Sequence, residues 1–144
     1  MKKTDLAYFA GLFDGEGTIF ITNNLRKGRK NLYKQLTVAI TMTNQWIIEL
    51  FHFAFGGCLQ FIPAHANKKS AWYLSLRSRI ASDFLKVILP YLKLKKAEAE
   101  IAIRFQDEKD RRRKENRIGR GRSLTEGEIA IEEAQRIMLK KLKE

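Results

Sequence analysis

Helical and strand-like spacings of apolar residues take turns along the chain. Leu6 to Phe13 reads as a short apolar helix, with Thr4 or Asp5 placed to accept its first free backbone N–H groups. Gly15-Glu16-Gly17 is expected to stop it in a turn, where glycine makes a left-handed backbone cheap. Thr18 to Asn24 follows as a strand, and after a polar connection to Asn31, Tyr33 to Met42 reads as its partner. In that partner Leu36, Val38, Ile40 and Met42 alternate with Gln35, Thr37, Ala39 and Thr41, so one face is apolar and the other is free to meet something wet. Asn44 is placed to cap a helix from Gln45 to Phe55, whose Trp46, Ile47, Leu50, Phe51 and Ala54 are spaced for one buried stripe, with Gly56-Gly57 as its stop. Cys58 to Ile62 and Ser70 to Arg77 read as strands; in the second, Trp72, Leu74 and Leu76 face one way and Tyr73, Ser75 and Arg77 the other. Ile80 to Leu89 is helical and stops at Pro90. The order αββαββα predicts an α+β fold, a four-stranded antiparallel saddle sheet with helices on one face and further helices at the C-terminus.

Length fits a single domain over 1–144, with 104–144 as a basic helical C-terminal extension. Within it Arg111-Arg112-Arg113-Lys114 is contiguous, Gly119-Arg120-Gly121-Arg122 breaks any helix, and Ser123-Leu124-Thr125-Glu126 has capping-box spacing before a last helix. The apolar run Leu6 to Phe13 is too short to cross a bilayer and leads into Asp14-Gly15-Glu16 rather than a cleavage site, so neither membrane span nor signal peptide is expected. Cys58 is the only cysteine, which excludes an intrachain disulfide and suits an intracellular, reducing compartment, cytoplasm or organelle matrix. His52 and His65 are too few and too isolated for zinc.

Charge narrows the partner. Lys and Arg number 28 against 16 Asp and Glu, a net +12, and no single amphipathic helix gathers that charge as a membrane-surface helix would. A nucleic acid is the natural partner. Arg26, Lys27, Arg29, Lys30 and Lys34 form a basic hairpin without an acid among them, and Lys68 and Lys69 sit in the loop before the last strand; all are candidates for phosphate contact. Asp14 and Glu16 stand at a helix C-terminus, where the macrodipole disfavours acids by roughly 0.3 to 1 kcal/mol each. A divalent cation bound among oxygen ligands would offset that, magnesium in preference to zinc.

Phe9-Ala10-Gly11-Leu12-Phe13-Asp14-Gly15-Glu16-Gly17 resembles the signature of the LAGLIDADG homing endonucleases, and Pro90-Tyr91-Leu92-Lys93-Leu94-Lys95 resembles a second stretch of that family. The resemblance covers about residues 5 to 106. It implies the homing-endonuclease-like αββαββα fold and a metal-dependent double-strand break in a long, roughly palindromic DNA site. By the same resemblance Glu16, with Gly15, would hold Mg2+ (or Mn2+), and Lys95 would assist near the cleavage centre. A single motif implies a homodimer, paired through Ala10, Gly11, Phe13 and Asp14 about a two-fold axis. The strand faces, Thr18, Phe20, Thr22, Asn24, Gln35, Thr37, Ala39, Gln60, Ile62, Tyr73, Ser75 and Arg77, would lie along the major groove.

Met42 stands where several members of the family have a polar residue, often Gln, and a thioether cannot position water as an amide does. A second class therefore stays open, a cleavage-silent relative acting on DNA or RNA as an intron maturase or regulator. A third, a basic RNA-binding scaffold of ribosomal type, accounts for +12 but not for Glu16 between two glycines.

Overall fold

The computed structural model describes residues 1–25, 32–115 and 124–144. Their order is α1 (Lys3–Glu16), β1 (Gly17–Leu25), β2 (Leu32–Met42), α2 (Gln45–Phe55), β3 (Cys58–Ile62), β4 (Ala71–Arg77), α3 (Ser78–Ile88), a 3-10 turn (Leu89–Tyr91), α4 (Lys96–Glu115) and α5 (Glu126–Lys141). The strands form one antiparallel sheet in the order β1-β2-β4-β3, the α+β architecture expected from the alternation of patterns. The register sets Phe20 opposite Thr37, Thr37 opposite Arg77, and Tyr73 opposite both Thr41 and Gln60, so the polar positions of all four strands share a face. The opposite face carries Ile19, Ile21, Leu36, Val38, Ile40, Leu74 and Leu76 into a core with Phe9 and Phe13 of α1, Ile48 and Phe51 of α2, and Phe84, Leu85 and Ile88 of α3. Phe9, Phe13, Phe51, Phe55 and Phe84 meet in mostly edge-on contacts, the preferred geometry for aromatic pairs.

Several local expectations are corrected. Helix α1 begins at Lys3, ahead of Thr4 and Asp5; Asp5 instead accepts the Lys2 backbone N–H at 3.1 Å from the third helical position. It also runs through Gly15 to Glu16, so no left-handed turn lies there, and Gly17 is extended at φ −80°. What Gly17 supplies is the absence of a side chain, since a Cβ would fall inside the Phe13 ring. Helix α2 keeps its predicted bounds and its Asn44 cap, whose Oδ1 accepts the Ile47 N–H, and Ile47, Leu50, Phe51 and Ala54 of its expected stripe pack on the core, while Trp46 does not. Ile48 and Phe51, one turn apart, take the buried face, and Trp46 is 67% exposed. The cap of α5 is Thr125 with Glu128, two residues beyond the expected Ser123.

Helix α5 is fastened by charge. Glu132, 1% exposed, pairs with Arg112 at 2.7 Å, while Glu133 pairs with Lys34 at 3.3 Å and with Arg136 at 2.6 Å. The Arg136 hydrogen bonds, aided by Lys34 and opposed by burial, hold the Glu133 carboxyl down to about 2. A carboxyl lowered on folding stabilises fully above its ordinary value near 4.5 and loses that contribution as pH falls towards 2. The melting temperature should therefore drop across that acid window, and Glu133→Gln should flatten the drop by lowering melting at neutral pH while leaving melting near pH 2 little changed; circular dichroism melts from pH 2 to 7 read both effects.

Candidate functional site

The last turn of α1 is organised by Asp14. Its carboxylate is nearly buried and accepts three consecutive backbone N–H groups, from Lys93 at 2.7 Å, Leu94 at 3.2 Å and Lys95 at 3.0 Å. Burial pushes this carboxyl up, but those donors and the Lys95 charge outweigh it and leave the group below the ordinary aspartate range. The adverse helix end is thus offset at Asp14 by the chain itself, with no cation needed there. Lys95 also donates through Nζ to the Asp14 carbonyl oxygen, which brings its ammonium to the end of α1, two residues from Glu16. The two stretches quoted from the sequence meet at this point.

Glu16 is exposed and makes no hydrogen bond or ion pair with the described residues. Thr18, two positions on, opens the polar face of the sheet. The carbonyls of the final helical turn, Gly15 among them, lack an N–H partner within the helix, so with the Glu16 carboxylate they offer oxygen donors that suit a hard cation. Among the described residues no three His, Cys, Asp or Glu side chains gather to hold a metal by themselves.

Two further groups, without any local signature along the chain, also stand at this end of α1. Lys143, at the far end of the chain, donates to the Ile19 carbonyl and approaches Thr18 Oγ1 at 3.4 Å, directly after the motif. Glu98 of α4 is 9% exposed; burial pushes its carboxyl up, and Lys143 and Lys95 pull it down only in part. Neither position differs in local pattern from any other surface lysine or helical glutamate.

The polar sheet face holds a trough of about 470 Å³ whose lining includes Phe20, Thr22, Asn24, Gln35, Tyr73 and Arg77. Thr18, Gln60, Ile62 and Arg77 are exposed, while Phe20, Thr22, Asn24, Gln35 and Tyr73 are half-buried. Thr37, Ala39 and Ser75 are buried at 5%, 1% and 2%, so they form the floor and do not project from it. Lys34 lies on the other face, occupied by Glu133, and is withdrawn from the phosphate-facing set. Arg112 is withdrawn by Glu132 in the same way. Lys68 and Lys69 are exposed on their loop, and Arg26, Lys27, Arg29 and Lys30 lie outside the described residues.

Of the expected pairing residues, Ala10 is 0%, Phe13 1% and Asp14 8% exposed, all three turned into their own fold. The outward face of α1 carries Thr4, Ala7, Tyr8, Gly11 and Gly15, and an added Cβ at Gly11 or Gly15 meets nothing within 4 Å.

The molecule is thus a four-stranded antiparallel sheet backed by helices, with an acid at the end of the first helix beside the sheet's polar face. Its solved counterparts are homing endonucleases. I-Vdi141I, an archaeal intron-encoded homing endonuclease complexed with DNA, matches 100% of this chain and 87% of its own at TM-score 0.77 and 13% identity. I-CvuI in complex with DNA matches 99% of this chain and 96% of its own at 0.62 and 17%. The LAGLIDADG homing endonuclease I-GzeII, in complex with its DNA target, matches 93% of this chain at 0.60 and 16%, with this chain spanning 43% of it. The chain therefore has the LAGLIDADG homing-endonuclease fold. No protein-family model matches the sequence, and no curated protein does.

Proposed function

We propose that the protein is a LAGLIDADG homing endonuclease that acts as a homodimer on a long, roughly palindromic DNA site, making a metal-dependent double-strand break. The observation that carries this reading is Glu16, an exposed carboxylate without an ion-pair partner among the described residues, at the helix end next to the polar sheet face, with the Lys95 ammonium anchored on the Asp14 carbonyl two residues before it. Such a carboxylate is free to take up a cation, and with Gly15 it would hold Mg2+ or Mn2+. When bound there, the cation would polarise a phosphate oxygen and make water a stronger nucleophile. Lys95 would stabilise charge on the attacked phosphate, through an ammonium already fixed by the Asp14 carbonyl. In hydrolysis a water oxygen bonds to phosphorus, the bond to the leaving sugar oxygen breaks, and that oxygen takes up a proton.

One chain offers one Glu16, and cutting both strands calls for two. Pairing through the outward face of α1, Ala7, Tyr8, Gly11 and Gly15, would bring two such carboxylates together and join two saddles into one groove. Because a Cβ at Gly11 meets nothing within 4 Å among the described residues, Gly11→Leu should preserve helicity and folding yet yield a monomer. Light scattering with circular dichroism distinguishes this from a protein that is monomeric already, the result that would overturn the shared centre.

The exposed cations of α4 and of the loop before β4, Arg111, Arg113, Lys114, Lys68 and Lys69, would contact phosphates, and the free Cys58 thiol suits a reducing compartment. Duplex binding should then weaken steeply with salt, log K falling by about 0.9 for each phosphate neutralised per tenfold rise in salt. Affinity indifferent to salt would contradict the proposal. Met42 favours a second reading. It is half-buried and packed against the core, so it offers no polar group near the helix end, as a cleavage-silent DNA- or RNA-binding relative would tolerate.

A further inference from the structure

At one end of the polar face, three side chains are linked in a single direction. Asn24 donates through Nδ2 to Gln35 Oε1 at 3.2 Å, and Gln35 donates through Nε2 to Ser78 Oγ at 3.2 Å. Asn24 Nδ2 is shared with Thr22 Oγ1, also at 3.2 Å, and the Thr22 hydroxyl donates to the Gln35 backbone carbonyl at 3.3 Å. Ser78 follows β4 immediately, at the start of α3, with φ +52°. That region is cheap for glycine and strained for an L residue, so the position holds a hydroxyl where the backbone alone would favour none.

The bond has a consequence for recognition. A glutamine amide turns about a broad, roughly two-fold terminal torsion, and a half turn exchanges its donor for its acceptor. Because the Thr22 hydroxyl spends its proton on the Gln35 backbone carbonyl, Asn24 turns Nδ2 to Thr22 Oγ1 and to Gln35 Oε1, and Gln35 is left to face Ser78 with Nε2, where the hydroxyl holds that end in place. Gln35 keeps one N–H and one oxygen lone pair, the pair of groups complementary to N7 and N6–H of adenine in the major groove. Resting on the DNA reading above, we infer that Ser78 is a positioning residue for sequence specificity: its hydroxyl anchors the Nε2 end of a Gln35 amide whose sense Thr22 and Asn24 set, so that Gln35 selects adenine at one base pair of each half-site.

Selection from a randomised duplex library in EDTA, using the intact chain, tests this with four proteins: unmutated, Ser78→Gly, Gln35→Ala and the double variant. The unmutated protein should prefer adenine at one base pair in each half-site by roughly 10- to 100-fold. Ser78→Gly removes the hydroxyl and relieves the positive φ, so its melting temperature should hold or rise while that preference falls below about threefold. Preferences elsewhere in the site and the slope of affinity against salt should stay as they were. Adding Gln35→Ala to Ser78→Gly should cause no further loss, since the two act as one unit. An unchanged adenine preference in Ser78→Gly would overturn the inference while leaving the DNA reading intact. So would a loss spread over the whole site, or one that deepens in the double variant. No sequence preference in the unmutated protein would overturn both.

Discussion

Asp14→Ala is expected to cost about 3 to 5 kcal/mol of folding stability, although Asp14 makes no side-chain ion pair with the described residues. Its carboxylate satisfies the backbone N–H groups of Lys93, Leu94 and Lys95 where the chain passes the end of α1. Removing it strands those donors in a nearly closed space and frees the segment that carries Lys95. Asp14→Asn keeps one acceptor oxygen but loses the charge and turns an NH2 group towards donors, so it should fall short of full rescue. Urea denaturation reads the loss, and a drop under 1 kcal/mol for the alanine variant would show that Asp14 is not what ties the two stretches together. The effect on activity should exceed the effect on folding, because Lys95 is held through the same turn.

The strands were legible because alternation over Leu36 to Met42 and Trp72 to Arg77 has the period of a sheet with one buried face, and the register then sets the polar positions together. The helix ends were less so. Glycines on both sides of Glu16 suggested a turn, whereas Gly17 is needed for the room it leaves to Phe13, a steric fact that local sequence does not carry. Trp46 fits a helical stripe as well as Ile48 does, and only the shape of the core decides between them. Lys34 read as one more cation of a basic hairpin, but its neighbour Gln35 faces the trough and Lys34 faces α5, where Glu133 meets it. The motif and Lys95 were found through resemblance, while what joins them, backbone N–H groups 79 to 81 residues beyond Asp14, has no signature in composition or spacing. Lys143 beside Ile19 is the same case at longer range.

Glu16→Gln is expected to lower the cleavage rate at least about a thousandfold, the scale on which a single stabilising group at a reacting centre is felt. The substitution keeps size and hydrogen bonding and removes the charge. Because Glu16 is exposed and has no partner among the described residues, stability should move by less than about 0.5 kcal/mol. Binding should persist or tighten, since two carboxylates would no longer face each other and the DNA backbone. Lys95→Met should slow cleavage without weakening metal uptake, because its ammonium acts on phosphate charge and not as a ligand. The direct measurement is incubation of a supercoiled plasmid library with the unmutated protein and with Glu16→Gln, in magnesium and, as a non-supporting control, in calcium. Linear product at a defined site is expected only for the unmutated protein in magnesium, with both proteins retaining the DNA in calcium; equal cutting by Glu16→Gln, or no cutting of any target by the unmutated protein, would rule out Glu16-dependent cleavage.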